Sequence, residues 1–381
     1  MRRHNLLILV CLFATASMLS QPNNPYTDYL KAQAHFGFIM QHRNSVGHLV
    51  KGHIVGAELD WAFPTKGNKL WHYENNFPEA GVALHVYNLA NNEQLGQIIA
   101  LAPYYDIPLN EKDKRSRLYM RVSLGASYSD KKFDPIDNHK NNMVSTAVSG
   151  FVNFKWHYRF NLSEKLRLDA GFNFAHISNG KFKAPNLGVN MFTANAGVTY
   201  KLMRYKTRPK FGVDSSSVAK SKNELYGIAA IGFNETEPPG GPKFLAQSYT
   251  LGYYRNVRNT HKFGGGVDVF YCQSVIQDVF DTDSIRYADK SKYIQIGVRG
   301  SYAYNIGKLS LPVEFGYYVR SIYKGDGNFY HRIGARYHLN NNIILNFSLK
   351  THWAVAHYFE YGLGYRLPVG KRQDAKPSVW Q

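Results

Sequence analysis

Apolar and polar positions alternate with a period of two from about residue 80 to residue 367. In Leu309–Arg320 the odd-numbered positions are all apolar: Leu309, Leu311, Val313, Phe315, Tyr317 and Val319. Residues 118–126, 343–349 and 359–367 repeat the pattern. Successive side chains of a β-strand point to opposite faces, so each segment is predicted to be a strand with one apolar face.

The length and aromatic content of these strands favour a membrane barrel over a soluble β-sandwich, which would also alternate. Each run has about the length of a tilted membrane-crossing strand, and many carry tyrosine near their ends. A closed sheet also has no edge strand, whose unpaired backbone N–H and C=O groups would find no hydrogen-bond partner in the bilayer. The prediction is an all-β fold, a transmembrane antiparallel up-and-down β-barrel of about 14 strands, with roughly 12 to 16 compatible with the pattern.

The first twenty residues have the pattern of an export signal. Arg2 and Arg3 precede an apolar run over residues 6–16, and small residues follow it. The run is too short to span a bilayer. We therefore expect a signal peptide over 1–20, an N-terminal segment over 21–79 in which the first strands could lie, the barrel over 80–367 and a tail over 368–381. The expected location is the outer membrane of a Gram-negative bacterium, after cleavage of the signal peptide.

Composition adds to this picture. The chain contains 28 Tyr, 23 Phe and 32 Gly, as expected for strands with one lipid-facing side. Its formal net charge of +19 suits a polyanion, and for an exported barrel the phosphorylated glycolipid of the outer leaflet is favoured over nucleic acid. Beyond the signal, Cys272 is the only cysteine, and no zinc-type spacing of Cys and His occurs. We expect no metal and no cofactor.

Short and long connections alternate along the chain, as they do in bacterial barrels with periplasmic turns and outer loops. Short connections are predicted near 161–165, 258–260, 305–308 and 339–342, and long ones at 130–142, 180–188, 234–244 and 272–290. Two segments break the pattern, 64–79 and 203–223, because they are long but fall on the side of the short turns.

The strand that begins near residue 165 and its successor place polar groups among apolar ones. Counting by twos puts His176 and Ser178 on the apolar face, and the next strand adds Asn190 to its own apolar row. Polar groups there cost free energy unless they are paired or functional. A serine, a histidine and a third polar group that orients the ring are the minimum for nucleophilic acyl transfer. The other interpretation is turn chemistry at 178–180, with His176 at headgroup depth.

The segment His176-Ile177-Ser178-Asn179-Gly180, followed by Pro185-Asn186-Leu187-Gly188-Val189-Asn190, resembles the signature of the outer-membrane lipid A 3-O-deacylase family. The resemblance implies an esterase barrel whose site faces lipid. It also implies specific roles: Ser178 as nucleophile, His176 as general base, and Asn179, Gly180 and Asn186 in or beside the oxyanion hole. The family has a glutamate as its third triad member, and Asn190 stands at that position here.

Two acidic residues of a predicted outer loop, Glu235 and Glu237, are candidates to replace the missing glutamate, although a loop carboxylate is usually only solvated. The predicted function is hydrolysis of an ester-linked acyl chain from lipid A or lipopolysaccharide, with membrane lipids around the barrel. Two alternatives stay open: a non-catalytic porin or structural barrel with a degenerate site, and an adhesin that uses its basic loops.

Overall fold

The structure is a computed structural model that describes residues 28–65, 67, 69–110, 116–202, 221–236, 238–275, 294–323, 325–340, 342–353 and 355–371. The predicted signal peptide lies outside these residues, as do positions 372–381 of the predicted tail. No helix in the described part of the chain is long and apolar enough to cross a membrane.

Sixteen strands make up the described structure. The first eight are β1 (Tyr29–Ile39), β2 (Ile54–Pro64), β3 (Glu79–Asn88), β4 (Gln97–Pro108), β5 (Ser116–Ser129), β6 (Val148–Asn161), β7 (Leu166–Ser178) and β8 (Val189–Lys201). The others are β9 (Ser221–Glu235), β10 (Lys243–Asn256), β11 (His261–Cys272), β12 (Ile294–Ile306), β13 (Leu309–Arg320), β14 (Phe329–His338), β15 (Ile343–His352) and β16 (Val355–Lys371). A short 3₁₀-helix, Asn44–Leu49, follows β1, and a short α-helix, Leu70–Glu74, follows β2.

The strands close into two separate barrels of eight. In the first, β8 pairs with β1, and in the second, β16 pairs with β9, with every neighbouring pair antiparallel. The all-β antiparallel barrel architecture is therefore confirmed. The sixteen strands lie at the upper limit of the predicted 12 to 16, but they form two barrels and not the single barrel that was predicted. Alternation along a strand records which face meets lipid but not which partner closes the sheet, so it cannot distinguish one large barrel from two small ones.

The two barrels explain both irregular connections. Strands β1 and β2 lie in the N-terminal segment 21–79, so the first barrel begins well before residue 80. The segment 64–79 is the β2–β3 connection and contains the short α-helix. Strand β8 ends at Lys201 and β9 begins at Ser221, so most of 203–223 joins the two barrels rather than forming a turn within one.

Each barrel has an apolar outer wall and a polar interior. In β1 the burial alternates at every residue: Lys31 and His35 are buried, whereas Phe36 is 58% exposed and Phe38 is 44% exposed. This is the arrangement of a membrane barrel, with hydrocarbon-compatible side chains outside and polar ones inside. A soluble sandwich would have the reverse arrangement.

Ion pairs fill the interior of the first barrel. Arg121 is fully buried and contacts three carboxylates, with Nη1 2.7 Å from Glu58, Nη2 2.8 Å from Asp60 and Nε 2.6 Å from Asp106. Each charge therefore has the partners that a buried ion requires. Asp169 joins this network through Arg159, which also contacts Asp106.

The second barrel has its own network around Glu314. Its carboxylate contacts Arg336 at 2.8 Å and both Arg299 and Arg332 at 3.2 Å. The charged side chains of Lys165 and Arg320 are exposed and lie outside these networks. Both stand at a strand end, where the alternation no longer constrains the side chain.

Candidate active site

The register of β7 and β8 brings two of the predicted site residues together. His176 lies directly opposite Asn190 in this antiparallel pair. Both share the outward parity of Phe172 and Phe192, the side that forms the apolar wall. The structure thus places the imidazole and the amide on the outer surface of the first barrel, at the end where β7 turns into β8.

A chain of hydrogen bonds orients this imidazole. Nδ1 of His176 lies 2.6 Å from Oδ1 of Asn190, and Nδ2 of Asn190 lies 3.1 Å from Nδ1 of His42. The Nε2 atom of His42 lies 3.2 Å from the carbonyl oxygen of Leu187. One assignment of protons satisfies all three contacts: His42 Nε2–H donates to Leu187, Asn190 donates to His42, and His176 Nδ1–H donates to Asn190. Nε2 of His176 is then the basic nitrogen.

His42 is a site residue that the sequence analysis did not find. It lies three residues beyond the end of β1, and β1 meets β8 only because the first barrel closes. The backbone N–H of Met40 donates to the carbonyl of Asn190 at 2.8 Å, so the pairing of β1 with β8 extends to the site. No local pattern could have linked His42 with Asn190, since 148 positions separate them.

The nucleophile candidate Ser178 ends β7 and is 5% exposed. Its Oγ accepts a hydrogen bond from Nδ2 of Asn186 at 2.8 Å, which leaves its hydroxyl proton in the donor role. Oδ1 of Asn186 accepts from the backbone N–H of Asn179 at 3.1 Å. The side chain of Asn179 donates to Oγ of Ser145 at 2.9 Å, which ties this turn to the β5–β6 loop. The structure thus gathers Ser178, Asn179 and Asn186, as the motif predicts.

Glycines shape the backbone of the β7–β8 loop. Gly180 and Gly188 have φ of +64° and +77°, in the left-handed region that favours glycine. A Cβ on Gly188 would lie 2.9 Å from Cε1 of His176 and 3.0 Å from the carbonyl oxygen of Ile177. The loop therefore passes directly against the imidazole, and this close approach requires a residue without a side chain.

Glu235, one of the two acidic residues considered as substitutes for the family glutamate, is not part of this hydrogen-bond chain. Glu235 is buried at the end of β9 in the second barrel, where its Oε1 accepts from the backbone N–H of Gly240 at 2.8 Å. Glu237 lies outside the described residues. The partner of the His176 Nδ1 atom in the structure is the amide of Asn190.

Aromatic side chains cover the outer wall beside the site. The ring of Phe192 lies 6.0 Å from that of Phe172 and 5.9 Å from that of Phe38, measured between centroids. Phe192 is two residues from Asn190 and so shares its face of the strand. The polar site therefore borders directly on an apolar surface.

A serine and an oriented histidine on the lipid-facing wall of a small barrel are typical of an ester hydrolase that works at a membrane. Comparison with family models identifies which kind of ester hydrolase this is. Residues 55–199 match the model of lipid A 3-O-deacylase (PagL), and residues 223–369 match that of the acyloxyacyl hydrolase C-terminal domain. The chain belongs to this family and is an outer-membrane lipid A deacylase, a carboxylic ester hydrolase. The predicted family, activity and outer-membrane location are confirmed.

Comparison with solved structures gives matches of low identity and low TM-score. Neisserial surface protein A is 12% identical, covering 46% of this chain and 97% of its own, with a TM-score of 0.32. A triple-mutant porin of Rhodopseudomonas blastica is 12% identical, with coverages of 89% and 100% and a TM-score of 0.18. A TodX deletion mutant, a monoaromatic hydrocarbon channel, is 11% identical, with 92% coverage of each chain and a TM-score of 0.20. TM-scores this low carry no argument. A comparison with curated proteins gives no match.

Proposed function

We propose that the first barrel carries the deacylation site, with Ser178 as nucleophile, His176 as general base and Asn190 as the residue that orients the imidazole. This assignment rests on the hydrogen bond between Nδ1 of His176 and Oδ1 of Asn190, which places the ring proton on Nδ1 and leaves Nε2 as the basic nitrogen. The motif His-x-Ser occurs once in the whole sequence, at His176, so the second barrel has no copy of it.

The reaction then proceeds in two halves. Nε2 of His176 takes the hydroxyl proton as Oγ of Ser178 attacks the ester carbonyl carbon. The tetrahedral intermediate collapses, the ester C–O bond breaks, and the imidazolium returns the proton to the sugar oxygen that leaves. In the second half, Nε2 of His176 takes a proton from water as the water attacks the carbonyl carbon of the acyl-enzyme. The ester bond to Ser178 breaks, the imidazolium returns the proton to Oγ, and a fatty acid is released.

The oxyanion of each tetrahedral intermediate needs donors beside Oγ of Ser178. Nδ2 of Asn186 is already 2.8 Å from that atom, and the backbone N–H of Asn179 is held by the same side chain. A small rotation of Asn186 would release the N–H of Asn179, so that both donors could meet the oxyanion. Gly180, the next residue, has φ of +64°, a backbone conformation that glycine adopts readily in a turn.

The substrate would reach the site by lateral diffusion in the outer leaflet, with its acyl chain against the aromatic wall formed by Phe38, Phe172 and Phe192. These rings lie on the same outer face as Asn190, so an acyl chain on them would lead its ester bond towards Ser178. The cellular setting belongs to the same proposal: export by the signal peptide over 1–20, its cleavage, and insertion into the outer membrane of a Gram-negative bacterium.

A porin is not favoured by the interior of either barrel. The buried guanidinium of Arg121 and its three carboxylates occupy the first interior, and the network around Glu314 occupies the second. Small barrels of eight strands are filled by their own side chains, and here those side chains are locked in ion pairs. Planar-bilayer recordings should therefore show no stepwise conductance.

The assignment is tested by Ser178→Ala in the full-length protein, refolded in detergent and given purified lipid A. We expect loss of acyl release by mass spectrometry and loss of labelling by a serine-reactive phosphonate, with heat-modifiable gel mobility unchanged. Ser127→Ala, a buried serine of the same barrel, is the matched control and should keep both activities. Acyl release that persists in Ser178→Ala would refute the assignment of the nucleophile.

A further inference from the structure

The described part of the second barrel contains a cluster of metal-ligand side chains near one end of its interior. His352 ends β15, His357 is a buried residue near the start of β16, and Asp326 belongs to the β13–β14 loop. One ligand atom from each lies within 4.8 Å of the others. Cys272, at the end of β11, adds a thiol whose Sγ lies 3.8 Å from Nε2 of His357.

We propose that Asp326, His352, His357 and Cys272 form a binding site for a divalent cation of the zinc type. Two imidazoles, a carboxylate and a thiolate are the donor set that Zn²⁺ prefers, and four such ligands complete a tetrahedron. The site is separate from the deacylation residues, since none of its four ligands takes part in the Ser178–His176 constellation.

The distances between the ligand atoms suit such an ion. Zinc–ligand bonds of about 2.0 Å to nitrogen or oxygen and about 2.3 Å to sulfur place tetrahedral neighbours roughly 3.3 to 3.6 Å apart. Nδ1 of His352 lies 3.4 Å from Oδ2 of Asp326, and Nε2 of His357 lies 3.8 Å from Sγ of Cys272. The ligand atoms of Asp326, His352 and His357 already lie within 4.8 Å of one another, and the Cys272 thiol, 3.8 Å from His357, has to move towards this trio to complete the set.

Surrounding groups orient the ligands and give the ion a path. The Nε2 atom of His352 lies 2.8 Å from the hydroxyl of Tyr318, so a proton on Nε2 leaves Nδ1 as the ligand atom. Within the described residues, the contact with His352 is the only ion pair of Asp326. The side chain of Asp326 is 32% exposed, so this loop residue offers the entry for an ion from solution.

Two cations, Lys350 and Lys181, oppose the site through the interaction of their charges with its ligands. Nζ of Lys350 lies 3.5 Å from Nδ1 of His357. For Nε2 of His357 to bind the ion, Nδ1 has to carry the ring proton and donate it to a neutral Lys350 amine. The positive charge of the protonated amine opposes cation binding by Coulomb repulsion, so Lys350→Met should tighten it.

A comparable trio in the first barrel, His35, Glu58 and His85, does not suit an ion. Oε1 of Glu58 is already bound to Arg121 at 2.7 Å and also to Lys155. Its Oε2 lies 2.9 Å from Nε2 of His35. The carboxylate is satisfied by two cations, and a further dication would be repelled by both.

The test uses the full-length protein, refolded in detergent, stripped with a chelator and titrated with Zn²⁺ against a chromophoric competitor. We expect one ion per chain. His352→Ala and His357→Gln should weaken binding by at least about 100-fold, and Tyr318→Phe by about 10-fold, since loss of an orienting residue costs roughly 10- to 100-fold. With Co²⁺, the wild type should show a thiolate charge-transfer band that Cys272→Ser removes.

Controls make the result independent of misfolding. Heat-modifiable mobility reports the folded barrel for each variant, and His35→Gln, which alters the other trio, should bind Zn²⁺ as the wild type does. The proposal is overturned if the folded wild type binds no ion, if His357→Gln binds as tightly as the wild type, if His35→Gln abolishes binding, or if the cobalt complex lacks the thiolate band.

Discussion

His176 and Asn190 face each other across β7 and β8, with Nδ1 of the imidazole 2.6 Å from Oδ1 of the amide. The related family has a glutamate at the position of Asn190. An amide can hold the ring and its tautomer, but it lacks the negative charge that stabilises an imidazolium. The amide of Asn190 therefore orients the imidazole as the third member of a triad does, but with weaker electrostatic support.

Asn190→Asp should raise kcat for acyl release, because the carboxylate has almost the same shape as the amide and stabilises the imidazolium that forms during attack. Asn190→Leu, which removes the hydrogen bond, should lower kcat instead. Steady-state rates on purified lipid A, at equal amounts of folded protein, provide the measurement. Equal rates for Asn190→Asp and Asn190→Leu would show that this position does not orient the base.

His42→Ala should reduce kcat by about 5- to 10-fold, the rate equivalent of one hydrogen bond. His42 determines which end of the Asn190 amide faces His176, since its Nδ1 accepts from Nδ2 of Asn190. A carboxylate has two equivalent oxygens, so the same substitution should have little effect in an Asn190→Asp background. A double-mutant cycle measures this coupling, and additive effects would contradict the positioning role.

Gly188→Ala should lower kcat while the barrel stays folded. The new methyl group would lie 2.9 Å from Cε1 of His176, and the positive φ adds backbone strain, so the imidazole must move. Gly300→Ala is a matched control, because a Cβ there meets no atom within 4 Å. The comparison needs lipid A turnover and heat-modifiable mobility for both variants. Wild-type turnover by Gly188→Ala would mean that the loop does not define the ring position.

Phe192→Ala should reduce kcat/KM for long-chain esters more than for short-chain esters. The ring lies between Phe38 and Phe172 on the outer wall and would contact the acyl chain along its length. Synthetic esters of increasing chain length report the selectivity. Phe315→Ala removes an exposed ring from the wall of the second barrel and should leave the profile unchanged. An equal loss for every chain length would argue against an acyl-binding wall.

Arg121→Ala should destabilise the first barrel by about 3 to 5 kcal/mol, because Glu58, Asp60 and Asp106 lose their shared cation inside the barrel. Urea unfolding in lipid vesicles measures this change. The control is Lys51→Ala, whose exposed pair with Glu93 at 3.0 Å should contribute nothing measurable. Similar stability of the two variants would show that the interior network is not a main source of barrel stability.

Local patterns determined the strands and the faces of the site. Because side chains alternate along a strand, counting by twos placed His176 and Asn190 on the outer wall, where the structure has them. The turn chemistry of Gly180 and the grouping of Ser178 with Asn186 also follow from residues close together in sequence. These features depend on short-range geometry, which a single sequence records.

Pairing between distant segments was decided only by the tertiary structure. The closure of β8 on β1 divides the strands into two barrels and brings His42 to Asn190. The approach of Cys272 in β11 to His357 in β16 likewise depends on the closure of the second barrel, because β9 and β10 lie between these two strands. Backbone hydrogen bonds between strands are the same for any sequence, so the choice of partner strand comes from side-chain packing and ion pairs across the whole barrel. The alternation along one strand therefore does not predict which strand is its partner.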